Sequence, residues 1–128
     1  MDGRVTTDGR QAMLAIRVLG SAQQLDGESG LVVDAVIDTG FTGQFVLPPE
    51  AVDRLGLSGR GRQRAILADG RTVEVNVYLA RVIWHGRERA IQVLATEGGP
   101  LVGMALLRGS RLTVDAAPDG HVLVEELP

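Results

Sequence analysis

Val36-Ile37-Asp38-Thr39-Gly40-Phe41-Thr42-Gly43 is the stretch on which the reading of this chain turns. It carries a β-branched run, Leu31-Val32-Val33-Asp34-Ala35-Val36-Ile37, straight into a carboxylate and a glycine-bounded turn. The run reads as a central, largely buried strand. Taken alone, Asp38-Thr39-Gly40 is also what an ordinary turn looks like, with Asp38 capping it and Gly40 relaxing the backbone. The neighbouring segments decide between a turn and a site.

Working outward, period-two alternation dominates. Residues 11–19 read as a strand and residues 20–30 as a connecting loop. A short strand over 44–47 follows the turn. Pro48-Pro49 then opens a helix predicted over 49–55, with Glu50 and Asp53 toward its start and Gly56 just past its end. Arg64–Ala68 and Thr72–Trp84 are predicted strands joined by Asp69-Gly70, a hairpin signal. His85-Gly86 turns the chain into a strand near 87–95. Leu101–Arg108 fits a strand end running into a short helix. Thr113–Asp115 and His121–Glu125 flank Pro118-Asp119-Gly120 as a last hairpin. The fold class is therefore all-β, a small closed barrel or a sandwich, with one or two short helices.

Composition narrows the chemistry. The 128 residues suit one domain, with a core expected over about 12–125 and residues 1–10 expected to be flexible. Aromatics are 3%, so the core is aliphatic. There is no cysteine, hence no thiol nucleophile, disulfide or thiolate metal site. All 13 basic residues are arginine, which rules out a P-loop lysine or a Schiff base. His85 and His121 are far apart, so neither a metal nor another cofactor is expected. A net charge of −3 gives no footprint for nucleic acid. No apolar leader or membrane-length stretch is present, so the expectation is a cytoplasmic protein without a membrane partner.

Three features follow the Asp38 turn in order: Val46-Leu47-Pro48-Pro49 with its helix, the Leu67-Ala68-Asp69-Gly70 hairpin tip, and Pro100-Leu101-Val102-Gly103-Met104-Ala105-Leu106-Leu107. Together with Asp38-Thr39-Gly40 they resemble the retropepsin-like aspartic proteases, in particular the small single-domain members of bacteria and archaea. The resemblance implies a closed barrel of the acid-protease type. It implies Asp38 as the catalytic carboxylate, Thr39 bonding across to a partner's loop, and Gly40 permitting close backbone approach. Ala68, Asp69 and Gly70 would be the tip of a flap closing over an extended peptide, and Leu101, Val102 and Gly103 would pack beneath the Asp38 loop. Phe41 departs from the small residue usual in the retroviral enzymes and would fill part of the substrate cleft. The flap has one glycine, Gly70, where retroviral flaps are glycine-rich.

Aspartic proteolysis needs two carboxylates sharing a proton, because neighbouring like charges cannot both ionise. Asp34 is on the same strand face as Asp38, but four residues at about 3.3 Å each put them roughly 13 Å apart. Asp8, Asp26, Asp69 and Asp119 precede glycine without the intervening Thr or Ser. The second carboxylate therefore has to be Asp38 of another copy, in a two-fold homodimer. The expected activity is endopeptidase action on a peptide or protein substrate. The competing readings are a non-catalytic peptide-binding module on the same fold, and a monomeric barrel in which Asp38 only shapes a turn. Arg60, Arg62 and Arg64 read as a solvated approach to the flap. Asp34 is open between solvent, an arginine partner and an interface.

Overall fold

The computed structural model describes residues 1–20, 30–66 and 69–128. Ten strands and two short helices follow one another: β1 (Asp2–Val5), β2 (Ala12–Leu19), β3 (Leu31–Ile37), β4 (Phe45–Leu47), α1 (Pro49–Leu55), β5 (Ser58–Ile66), β6 (Thr72–Trp84), β7 (Arg87–Ala95), β8 (Leu101–Val102), α2 (Met104–Leu107), β9 (Ser110–Val114) and β10 (His121–Glu126). The strands are ordered β5-β6-β7-β4-β8-β3-β2-β1-β10-β9, and an extra β6–β2 pairing closes six of them into a barrel. Closure leaves no free edge within those six. Of the strands outside the barrel, β5 extends the sheet from β6, while β1, β10 and β9 extend it from β2.

The barrel interior is aliphatic, as the composition demands. Leu14, Ile16, Val18, Leu47, Ile91, Val93 and Leu106 are fully buried with Phe45, and Trp84 joins the same core. Alternation along each strand produces this: β3 turns Leu31, Val33, Ala35 and Ile37 toward the core. Its other face carries Asp34 and Val32, the latter 55% exposed, so β3 is central in the sheet but not largely buried as expected. The β-branched composition of the run conceals that only one of its faces is covered.

α1 has the predicted ends. Pro49 sits in its first turn, and Gly56 closes it at φ 60°, donating its N–H to the Asp53 carbonyl. β5 is longer than expected, starting at Ser58, and carries a bulge between Gly59 and Arg62. Residues Gly59–Arg64 are exposed, including Arg60, Arg62 and Arg64, and Arg62 lies 3.6 Å from Glu74. The predicted loop over 20–30 falls mostly outside the described residues.

Residues 1–10 are a correction. β1 is clamped between β2 and β10, with Arg4 opposite Met13 on one side and Gly3 opposite Val122 on the other. Val5 is buried, and the Met1 ammonium donates to the Val124 carbonyl at 2.7 Å. Backbone pairing on both edges, which leaves no trace in side-chain pattern, orders this segment.

Candidate active site

The Asp38 turn is built by a strand insertion. β8 lies between β3 and β4, parallel to the first (Val36 opposite Leu101, Ile37 opposite Val102) and antiparallel to the second (Phe45 opposite Val102). The Asp38 N–H donates to the Val102 carbonyl at 2.9 Å, and the Val36 N–H to the Pro100 carbonyl at 2.9 Å. Two bonds close the turn itself. The Gly40 N–H donates to Asp38 Oδ1 at 3.0 Å, and the Phe41 N–H to the Asp38 carbonyl at 3.1 Å. Asp38 is half-buried, while Thr39 and Gly40 are exposed. The carboxylate is thus fixed in direction and left reachable, the state a reacting group needs.

Beyond Gly103 the chain locks onto the same turn from below. The Gly103 N–H donates to the Gln44 carbonyl, Met104 to Phe41, and Ala105 to Gly43, at 2.8–3.1 Å. These bonds use the N–H groups that open α2 and that no helical carbonyl could reach. A close approach that sequence reading did not assign is found at Gly103. A Cβ there would stand 2.2 Å from the Gly43 carbonyl oxygen and 2.5 Å from the Phe41 ring, whereas one on Gly40 would meet only Asp38 Oδ1 at 3.3 Å.

The place of Phe41 is set by two glycines. Its ring lies over Gly43 and Gly103, where a Cβ on Gly43 would meet it at 2.5 Å. From there it packs against a second apolar cluster, separate from the barrel core, formed by Val46, Val75, Val77 and Leu94 with Ala65, Val73 and Leu101. The two glycines give the ring a berth beside the turn. Sequence reading missed Gly43 and Gln44; the signal available was the Phe41/Gly43 spacing. Gln44 adds a side-chain bond, accepting the Gln92 N–H at 2.7 Å and tying the turn to β7.

The β5–β6 hairpin stands over this cluster. Ala65 pairs with Val73 and Gln63 with Val75, so one face of the hairpin carries the apolar residues that meet Phe41. Arg62, Arg64 and Ile66 alternate onto the other face, with Ile66 79% exposed near the tip. Gly70 turns the chain at φ 85°, and Asp69 accepts from the Arg71 backbone and guanidinium at 3.0 and 2.6 Å. Asp69 is therefore engaged within its own turn. Ala68 lies outside the described residues.

Asp34 is remote from the turn in its surroundings as well as along the strand. It lines a shallow depression of about 400 Å³ with Asp2, Arg4, Met13 and His121. Among the described residues no three His, Asp or Glu side chains are gathered as a metal site, and no helix is long and apolar enough to cross a membrane.

With this geometry in view, the comparisons with known proteins are direct. Two solved structures share the fold at 18% identity each. A retropepsin-like aspartic protease from Rickettsia conorii aligns over 100% of this chain and 91% of its own, with a TM-score of 0.61. The EIAV protease complexed with the inhibitor HBY-793 aligns over 77% of this chain and 86% of its own, with a TM-score of 0.60. No curated protein sequence matches the chain. Residues 24–109, from before β3 to just past α2, match the Aspartyl protease family. The chain thus belongs to the aspartyl proteases and has the retropepsin-like fold.

Proposed function

We propose that the chain is a homodimeric endopeptidase whose water-activating pair is Asp38 from each of two copies. The observation that carries this is the Asp38 turn itself: a carboxylate aimed by the Gly40 N–H, seated on β8, and exposed at its tip. One such turn supplies half of a dyad. Two turns meeting on a two-fold axis would place like charges a few ångströms apart, so that they hold one proton between them. The ionised member then takes a proton from water as it attacks the scissile carbonyl carbon. The protonated member donates to the carbonyl oxygen, giving a neutral tetrahedral diol. The carboxyl that took water's proton then gives it to the amide nitrogen while the other takes a proton back from the diol, and the C–N bond breaks to release the amine and the new acid. Thr39, exposed beside Asp38, would bond the partner's turn.

The β5–β6 hairpin acts as the flap. Its apolar face packs on Phe41 and Leu101, so an incoming peptide would displace that contact and meet apolar side chains on either side of the bond to be cut. An extended peptide would lie beneath it by main-chain pairing, alternate side chains entering the sites. The seat of Phe41 over Gly43 and Gly103 supports a groove that cuts over one that only binds.

The test is cleavage of an unbiased peptide mixture between about pH 4 and 7, wild type beside Asp38→Asn. Products from the wild type alone, with apolar residues flanking the cuts, are expected. Equal product from both proteins, or peptide binding without cleavage at any pH, would refute the reading.

A further inference from the structure

We infer that the second copy is held by β9, which pairs with its own counterpart in antiparallel fashion about an axis through Leu112. This rests on the dimeric reading above and specifies its interface. The starting point is the sheet order, which ends at β9 on one side and β5 on the other. β1 and β10 are each paired on both sides within one subunit, β1 between β2 and β10, and β10 between β1 and β9. Neither is free to exchange. Of the two open edges, β5 is broken by a bulge, contains Gly59 and Gly61, and carries Arg60, Arg62 and Arg64, all devices that discourage edge pairing. β9, Ser-Arg-Leu-Thr-Val, is regular over all five residues and has neither glycine nor proline.

The bonding parity of β9 identifies its free groups. Val5 donates to Gly120 and Val124 to Met1, so β10 bonds β1 through its even-numbered residues. Asp115 donates to His121 and Leu127 to Gly109, so it bonds β9 through odd-numbered pairs. Arg111 and Thr113 are therefore satisfied inside the subunit, while the N–H and C=O of Ser110, Leu112 and Val114 point outward. Antiparallel self-pairing is the arrangement a two-fold axis generates. With Leu112 on the axis, Ser110 faces Val114 of the partner subunit, and all three outward residues exchange bonds in pairs. Arg111 then lies opposite Thr113 of the partner subunit. Shifting the axis to Arg111 would oppose two arginines and leave Val114 unpaired, which disfavours that register.

The strand is also in the right place. α2 is bolted to the Asp38 turn, and only Arg108 and Gly109 separate it from β9, so the start of β9 is at most about 15 Å from Met104. Val114, the last residue of β9, is 37% exposed, and Met104 at the start of α2 is 48% exposed.

Residue-resolved amide exchange across a dilution series tests the inference without altering the chain, with sedimentation run on the same samples. The Leu112 and Val114 amides are expected to exchange at least tenfold more slowly as dimer accumulates, while Arg111 and Thr113 are protected at every concentration. Val114→Pro, which removes an outward N–H and leaves the β9–β10 ladder intact, is expected to weaken association at least tenfold with the folded monomer retained. A dimer whose Leu112 and Val114 amides exchange freely would overturn β9 pairing and leave the protease reading standing. A dimer with protected amides that cuts no peptide would support β9 pairing and sink the protease reading. Monomer at every concentration would overturn both.

Discussion

Gly103 shows how little of the site resides in side chains. Its missing Cβ is the space in which the Phe41 ring and the Gly43 carbonyl approach, so Gly103→Ala has to move backbone. That substitution is expected to cost about 1–3 kcal/mol in urea unfolding and to depress activity more than Gly40→Ala does, the reverse of the order the Asp-Thr-Gly motif suggests. His85 gives a pH dependence. It turns the chain at φ 51°, its ring nitrogen Nε2 lies 2.8 Å from Ser110 Oγ, and burial holds its pKa below the ordinary 6.5 against the opposing pull of Glu126. The unfolded chain then takes up the proton first. Stability from this group is complete above pH 6.5 and is lost as pH falls through 6.5 toward the lower folded value. His85→Asn, which tolerates the same backbone, is expected to flatten the fall in melting temperature between pH 7 and 5. The Asp38 turn was legible as a turn from its own residues, and as a candidate site only from the segments that follow it. The seat of Phe41 was not, because it depends on two absent side chains sixty residues apart.

At the scale of elements, legibility follows exposure. β6 and β7 match their predicted limits because one face of each is covered and sharp turns at Asp69-Gly70 and His85-Gly86 bound them. The first half of β5 was missed because it projects from the barrel with both faces in water, so it has no apolar alternation to read. β1 was missed for a different reason: Val5 is its one buried side chain, and the rest of its hold is backbone bonding to two neighbours. Removing residues 2–5 is expected to lower unfolding free energy by at least about 2 kcal/mol, read from the urea midpoint, since it exposes Val122 and opens the β10 edge. A flexible leader would be lost without effect.

For the whole molecule, shared catalysis has an arithmetic signature. In an equilibrated equal mixture of wild type and Asp38→Asn, only about a quarter of dimers carry two native carboxylates, so activity should fall to about a quarter of that of wild type at the same total concentration. A site complete in one chain would retain half. The strands and the two helices were readable from alternation and turn chemistry, which left barrel and sandwich open; the closed barrel was implied by the resemblance. The partner surface was not readable, because an edge strand is defined by which neighbours are missing, and no residue type announces that.

The parallel pairing of Val36 with Leu101 has a consequence in time as well as space. Closing that 65-residue span costs about 1.7 kcal/mol more chain entropy than closing ten residues, so the turn bearing Asp38 forms late. During synthesis it has no seat until β8 has left the ribosome. A fragment ending at Pro100 should therefore unfold without a cooperative transition and cleave nothing, although it contains Asp38, Thr39, Gly40 and the entire flap. An emerging protease is harmless to its own unfinished copies by the order in which its strands are made.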